Sequence, residues 1–304
     1  MAAFDTVEQA RVLQFKANVT HLYQENGGDL RGTVREETLN GKAHFFERLA
    51  SEPAQKKYSR HSDTIVLDPA HSRRMVVPVD YVWNALVDQQ DKIRLLIDPN
   101  SEYAITAAKA LRRAFDNEII TAFAAAAAGG EDGSTSVSFS SEAALDTTFV
   151  SAALTTPNIL TVKKALDLQS VPGSDRYILY HPAAMEQLLK ASSAPIAASS
   201  DYNSIKALVQ GEMDTWVGFK WIQYVRGTSE MSAGVAYTSG DTTRPYCFAW
   251  HKDSMGCAVA QDIVARLSER ADKDYAVQTY ASLTMGATRI QGAGVVRFSV
   301  DTDN

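Results

Sequence analysis

The chain has 304 residues, 45% of them hydrophobic and 22% charged, with a formal net charge of −6. That length can bury a sizeable core in one large domain or two smaller ones, and the acidic balance argues against a dedicated nucleic-acid binder, which would show a basic face. No apolar run is long enough to cross a bilayer and the polar opening MAAFDTVEQA is not a signal peptide, so no membrane partner and cytosolic synthesis are expected.

Residues 5–25 have a helical rhythm through Val7, Ala10, Leu13, Ala17 and Leu22, and Asn26-Gly27-Gly28 stops it. This stretch is predicted to be an N-terminal arm, residues 1–30, packing on a neighbouring molecule or equally well on its own domain. Residues 31–74 hold nine Lys and Arg against six Asp and Glu, with apolar sequence confined to HFF at 44–46 and IVL at 65–67. Two short strands around a polar middle predict a protruding flap with little core of its own, and an isolated hairpin is marginal in water. From Met75 the chain turns apolar, which predicts a short strand ending near Pro78 and then a helix.

Asp98 to Gly130 reads as one long helix. Asp98 suits the cap and Pro99 the first helical position. Ala104, Ala108, Leu111, Phe115, Ile119, Ala122 and Ala126 share a face. Arg112 and Asp116 fall on the other face, one turn apart, as a weak ion pair. Gly129 and Gly130 end the helix. A spine over 98–128 would be roughly 45 Å long at about 1.5 Å per residue. The glycine- and serine-rich stretch 129–141 is the best internal boundary.

Residues 142–250 read as a compact mixed α/β unit. It has helices over 158–169 and from Pro182 through Leu188, and strands at 177–180, 219–225 and 246–250. Near the C-terminus, Tyr275, Val277, Thr279, Ala281, Leu283 and Met285 alternate onto one face of a long strand. Residues 291–294 form a turn, and a return strand carries Val296, Phe298 and Val300. The spine is the natural cover for that apolar face, which makes 142–250 an insertion. The fold class is α+β.

Chemistry is sparse. Cys247 and Cys257 lack the spacing of a zinc site or a disulfide framework and read as buried thiols. The six histidines include no i, i+4 pair and no HExxH, and neither a serine-hydrolase elbow nor a phosphate loop occurs. His181 and His251, at strand ends, are the one catalytic candidate, and they need a third group that the sequence does not supply. No catalytic residue, cofactor site or metal site is therefore assigned. Arm, flap, spine and closing strands offer surfaces for contact.

Taken in order, these segments resemble the major capsid proteins of tailed bacteriophages, the Hong Kong-type shell fold. The likeness rests on RRMVVPVDYVWNALVDQQDKIRLLIDPNSEYAITAAKALRRAFDNEIITA, the glycine loop EDGSTSV and YASLTMGATRIQGAGVVRFSV. The resemblance implies an arm (1–30), an extended loop (31–74), a peripheral domain (75–141 with 251–304) holding the spine, and an axial domain (142–250). It further implies hexamers and pentamers of an icosahedral shell around double-stranded DNA, with no sequence-specific DNA binding. A portal and possible decoration proteins go with it, and a separate scaffolding protein, since the spine begins near residue 98. Some relatives join a flap lysine to a neighbour's asparagine. Lys42, Lys56 and Lys57 are present here, but solvation alone accounts for them. The competing readings are an encapsulin-type nanocompartment shell, a tail or baseplate protein, and an α/β enzyme around His181 and His251.

Overall fold

A computed structural model describes residues 26–61, 63–64, 66–88, 100–149, 154–190, 215–224 and 246–300. The predicted arm helix over 5–25 and the Asp98–Pro99 cap lie outside the described residues. The elements in order are β1 (Arg35–Thr38), β2 (His44–Leu49), β3 (His71–Val76), β4 (Val79–Val87), α1 (Asn100–Ala124), β5 (Ala127–Gly129) and β6 (Thr135–Val137). There follow α2 (Phe139–Glu142), β7 (Leu145–Phe149), α3 (Thr156–Leu168), β8 (Arg176–Tyr180), α4 (Pro182–Lys190), β9 (Thr215–Trp216) and β10 (Phe219–Gln223). The chain closes with β11 (Tyr246–His251), β12 (Met255–Arg270), β13 (Ala276–Arg289) and β14 (Val295–Val300).

Strand β13 organises the first of three sheets, β1-β12-β13-β4. Its alternation places Val277, Thr279, Ala281, Leu283 and Met285 inward, as the sequence predicts. Ala281, Leu283 and Met285 share a core with Leu111, Phe115 and Ile119 of α1, each large apolar side chain contributing about 2–3 kcal/mol on burial. Helix α1 has 25 residues, a rod of roughly 37 Å.

It stops at Ala124, four residues short of the predicted spine. Arg289, fully buried at the end of β13, supplies the reason. Its guanidinium donates to the carbonyls of Phe123 (3.0 Å), Ala125 (2.9 Å) and Val137 (3.2 Å), satisfying acceptors that a helix end leaves open. Beyond it Ala127–Gly129 pairs as a strand with β3 and β6. The predicted boundary loop at 129–141 is therefore mostly ordered: it holds β6 and α2, and Phe139 is buried.

Three further expectations are corrected. Over Val79–Val87 the helix predicted after Pro78 is instead strand β4, whose Tyr81 and Trp83 alternate inward against the α1 core while the strand pairs antiparallel with β13; the rest of that prediction, 89–97, lies outside the described residues. The second flap strand is His71–Val76, and residues 66 and 67 of the IVL stretch lie in no strand. Strand β14 does not return along β13. The partner there is β12, antiparallel from Met255↔Arg289 to Arg270↔Ala276.

Instead β14 enters a six-stranded sheet, β7-β14-β11-β8-β10-β9. Strand β8 is buried at all five positions, because both faces of this sheet are covered. Tyr177, Leu179, Phe248 and Trp250 face the end of α1, where Phe123 lies 5.0 Å from Phe248 and 4.7 Å from Trp250 between ring centroids. Ile178, Tyr180, Cys247 and Ala249 face α3 and α4. The third sheet, β2-β3-β5-β6, roots the flap.

Candidate assembly surface

The flap is a hairpin in which β2 and β3 pair antiparallel from His44↔Val76 to Leu49↔His71, closed by the Ala50 N–H donating to the Ala70 carbonyl. Its root is packed tightly against the body. Phe46 is buried with Leu39, Val76, Ala258 and Ile290. The socket exists because residue 256 is glycine: a Cβ there would sit 2.6 Å from the Phe46 ring. A Cβ on Gly286 would fall 2.5 Å from the Val77 carbonyl oxygen, so the chain leaving β3 lies directly on β13.

Charge closes the same root. Arg74, 4% exposed, pairs with Glu142 of α2. Arg48 donates to the Ile290 carbonyl (2.7 Å) and to Ser72 Oγ (3.1 Å), with Glu142 3.7 Å away. Burial and the nearby Arg74 lower the proton affinity of Arg48. Next along the chain, Arg297 forms a two-pronged pair with Asp146 (2.9 and 2.7 Å). The Phe139 ring is flanked by Arg289 at 5.1 Å and Arg297 at 4.8 Å. Residues 139–146 thus tie all three sheets together.

Beyond the root, none of the described residues covers the hairpin. Every described residue from 51 to 68 is exposed, including Tyr58 (87%) and Val66 (85%).

The last residues of the predicted arm are anchored on the spine. Asp116 is fully buried, opposite to the outward face and the Arg112 pairing that helical spacing predicts. Its carboxylate accepts the amides of Gly28 (2.6 Å), Asp29 (3.3 Å) and Leu30 (3.3 Å). Burial outweighs those bonds and pushes its pKa up to about 6. Gly27, at φ +66°, lies so close to α1 that a Cβ would meet the Arg113 nitrogen at 2.6 Å. Arg31 then grips Asp262 (3.1 and 2.9 Å) where the β12–β13 register shifts, and Trp250 Nε1 donates to the Thr33 carbonyl at 3.0 Å.

The catalytic candidates are not brought together. Strands β8 and β11 run antiparallel with His251 opposite Arg176, which leaves His181 at the far end of β8, roughly 17 Å away at about 3.4 Å per residue. His251 Nδ1 accepts the Asp253 N–H at 3.2 Å, a local structural bond. Cys247 and Cys257 are buried free thiols, and burial raises Cys257 to about 12, far from a reactive thiolate. Among the described residues no three His, Cys, Asp or Glu side chains cluster as metal ligands. Of the residues that hold this surface in place, Arg74, Glu142, Arg289 and Gly256 carry no role predicted from the sequence, and Asp116 is predicted on the outward face. One signal was available: Arg289 ends a strand that otherwise alternates cleanly.

The described residues thus present a projecting hairpin on a packed root. In comparison with protein families, the model of the phage capsid protein family matches residues 7–301. The chain belongs to that family. Solved capsids share its fold at low identity. The capsid of cyanophage P-SCSP1u superposes with TM-score 0.71 at 13% identity, over 96% of this chain and 93% of that one. The capsid of cyanophage Pam1 gives 0.71 at 12% identity over 99% of both chains. The capsid of Helicobacter pylori bacteriophage KHP30 gives 0.70 at 9% identity, over 100% of this chain and 99% of that one. A search of curated protein sequences finds no match. This capsid protein is a structural component of the virion shell and associates with copies of itself. The nanocompartment and enzyme readings are not favoured.

Proposed function

We propose that this capsid protein forms hexamers and pentamers that close an icosahedral shell around double-stranded DNA, and that it catalyses no reaction. The observation that carries this reading is the hairpin 44–76, stiffly rooted but exposed at every described residue from 51 to 68. Such a segment gains its cover from an adjacent subunit, and a patch meeting a different patch on the next copy generates closed rings. Each such contact is polar and weak, and repetition around a shell supplies the stability. In this scheme the α1–β13 layer forms the peripheral domain and the six-stranded sheet the axial domain. That sheet then takes in β14 from the segment after residue 251. A scaffolding protein and a portal complete the assembly, which takes place in the host cytoplasm.

The acidic balance fits a container, since a basic inner wall would hold the genome down through salt-dependent phosphate contacts. Negative-stain microscopy of the protein expressed alone and with a scaffolding partner tests the proposal. Hollow polyhedral particles are expected. Tubes, or a small soluble species with turnover of a metabolite, overturn it. So does strong, salt-sensitive DNA affinity of the isolated chain.

A further inference from the structure

The hairpin root carries more cation than anion. Arg48 on β2 and Arg74 on β3 both approach Glu142, which belongs to neither strand. Arg289, also buried, is held by carbonyls just beside them. We infer that Glu142 is a clasp that fixes the angle at which the hairpin leaves the body.

Packing around the clasp is tight on both strands. A Cβ on Gly129 would lie 2.4 Å from Arg74 Nη1, and one on Gly292 would lie 2.3 Å from the Glu142 Cβ. On β2 the Phe46 ring is equally confined by Gly256. Farther along the hairpin a cavity of about 380 Å³ opens, lined by Arg48 and Leu49 of β2, Ser72 of β3 and Glu142, and one of about 310 Å³ is lined by Glu47, His71 and Arg73. The hairpin is therefore held at Phe46 and Arg74 and has room beyond them. The 3.7 Å separation of Arg48 from Glu142 joins two residues that both line the larger cavity. Without the carboxylate, Arg48 and Arg74 face each other with no anion between them. Like charges removed from water repel strongly, and a buried charge that has lost its partner is strongly destabilising.

In the proposed shell the clasp would set how one subunit reaches the next, but its test does not depend on that reading. Amide hydrogen exchange is measured on the purified, unassembled full chain, comparing wild type with E142Q. D146N serves as the control, because Asp146 pairs with Arg297 on the same segment without touching the hairpin. In E142Q, exchange over 44–49 and 71–76 is expected to rise about tenfold, with 176–180 and 246–251 unchanged. D146N should leave the hairpin at wild-type rates. Unchanged hairpin exchange in E142Q overturns the inference. So does a rise shared equally with the six-stranded sheet, which would show general destabilisation. If E142Q does not fold, R48Q examines the same clasp from β2: a rise confined to 44–49 supports it and none refutes it.

Discussion

Arg289 and Asp116 are charged side chains in the core, Arg289 where strand alternation reserves an apolar residue and Asp116 on the face that helical spacing turns outward, and each holds backbone together. Arg289 donates to three carbonyls at the end of α1 and beside it. Replacing it with methionine keeps much of its bulk and removes every donor, so buried acceptors are stranded at about 1–3 kcal/mol apiece. An overall loss of about 3 kcal/mol or more in urea unfolding is expected. Asp116 makes stability depend on pH. Its folded pKa of about 6 lies above its ordinary 3.8, so the native state binds the proton more tightly than the unfolded chain does. The contribution is fully present below about pH 3.8 and is lost as pH rises through about 6. Its size is on the order of 3 kcal/mol. The amide introduced by Asp116→Asn cannot titrate, so urea unfolding of that variant across pH 4–7 should show a flatter profile than wild type.

At the scale of elements, the hairpin root rests on glycines as much as on charges. Gly256→Ala places a methyl against the Phe46 ring, 2.6 Å away, and the ring must leave its socket. Accelerated exchange over 44–49 is the expected result, with 156–168 retaining wild-type protection. Elements with one strong local period were legible in the sequence: α3, β8, α4, β10, β11 and the inward face of β13 all lie where residue spacing puts them. Others depend on partners that spacing does not encode. VDYVWNALV satisfies a helical and a strand period at once, and pairing with β13 decides for strand. The outer half of β12 is exposed on both faces and so shows no alternation. The end of α1 is fixed by an arginine 165 positions after Ala124, and the apolar face of β14 was visible while its neighbours were not. The contact surface was legible only as a basic, core-poor stretch. Its clasp and sockets arise from residues far apart in sequence.

For the whole molecule, the division between a stiff body and an uncovered hairpin tip allows folding and assembly to be separated. Replacing 51–68 with a short turn removes a segment whose described residues are all exposed. The variant should melt close to wild type yet fail to close particles in the microscope, with subunits remaining small in light scattering. A variant that still forms complete shells would assign closure to other surfaces. Strand β14 has a consequence of its own. It lies between β7 and β11, and among the described residues β7 has no other strand partner. Residues 295–300 must therefore be in place before β7 can pair, and without them β11 keeps β8 on one side and offers an open edge on the other.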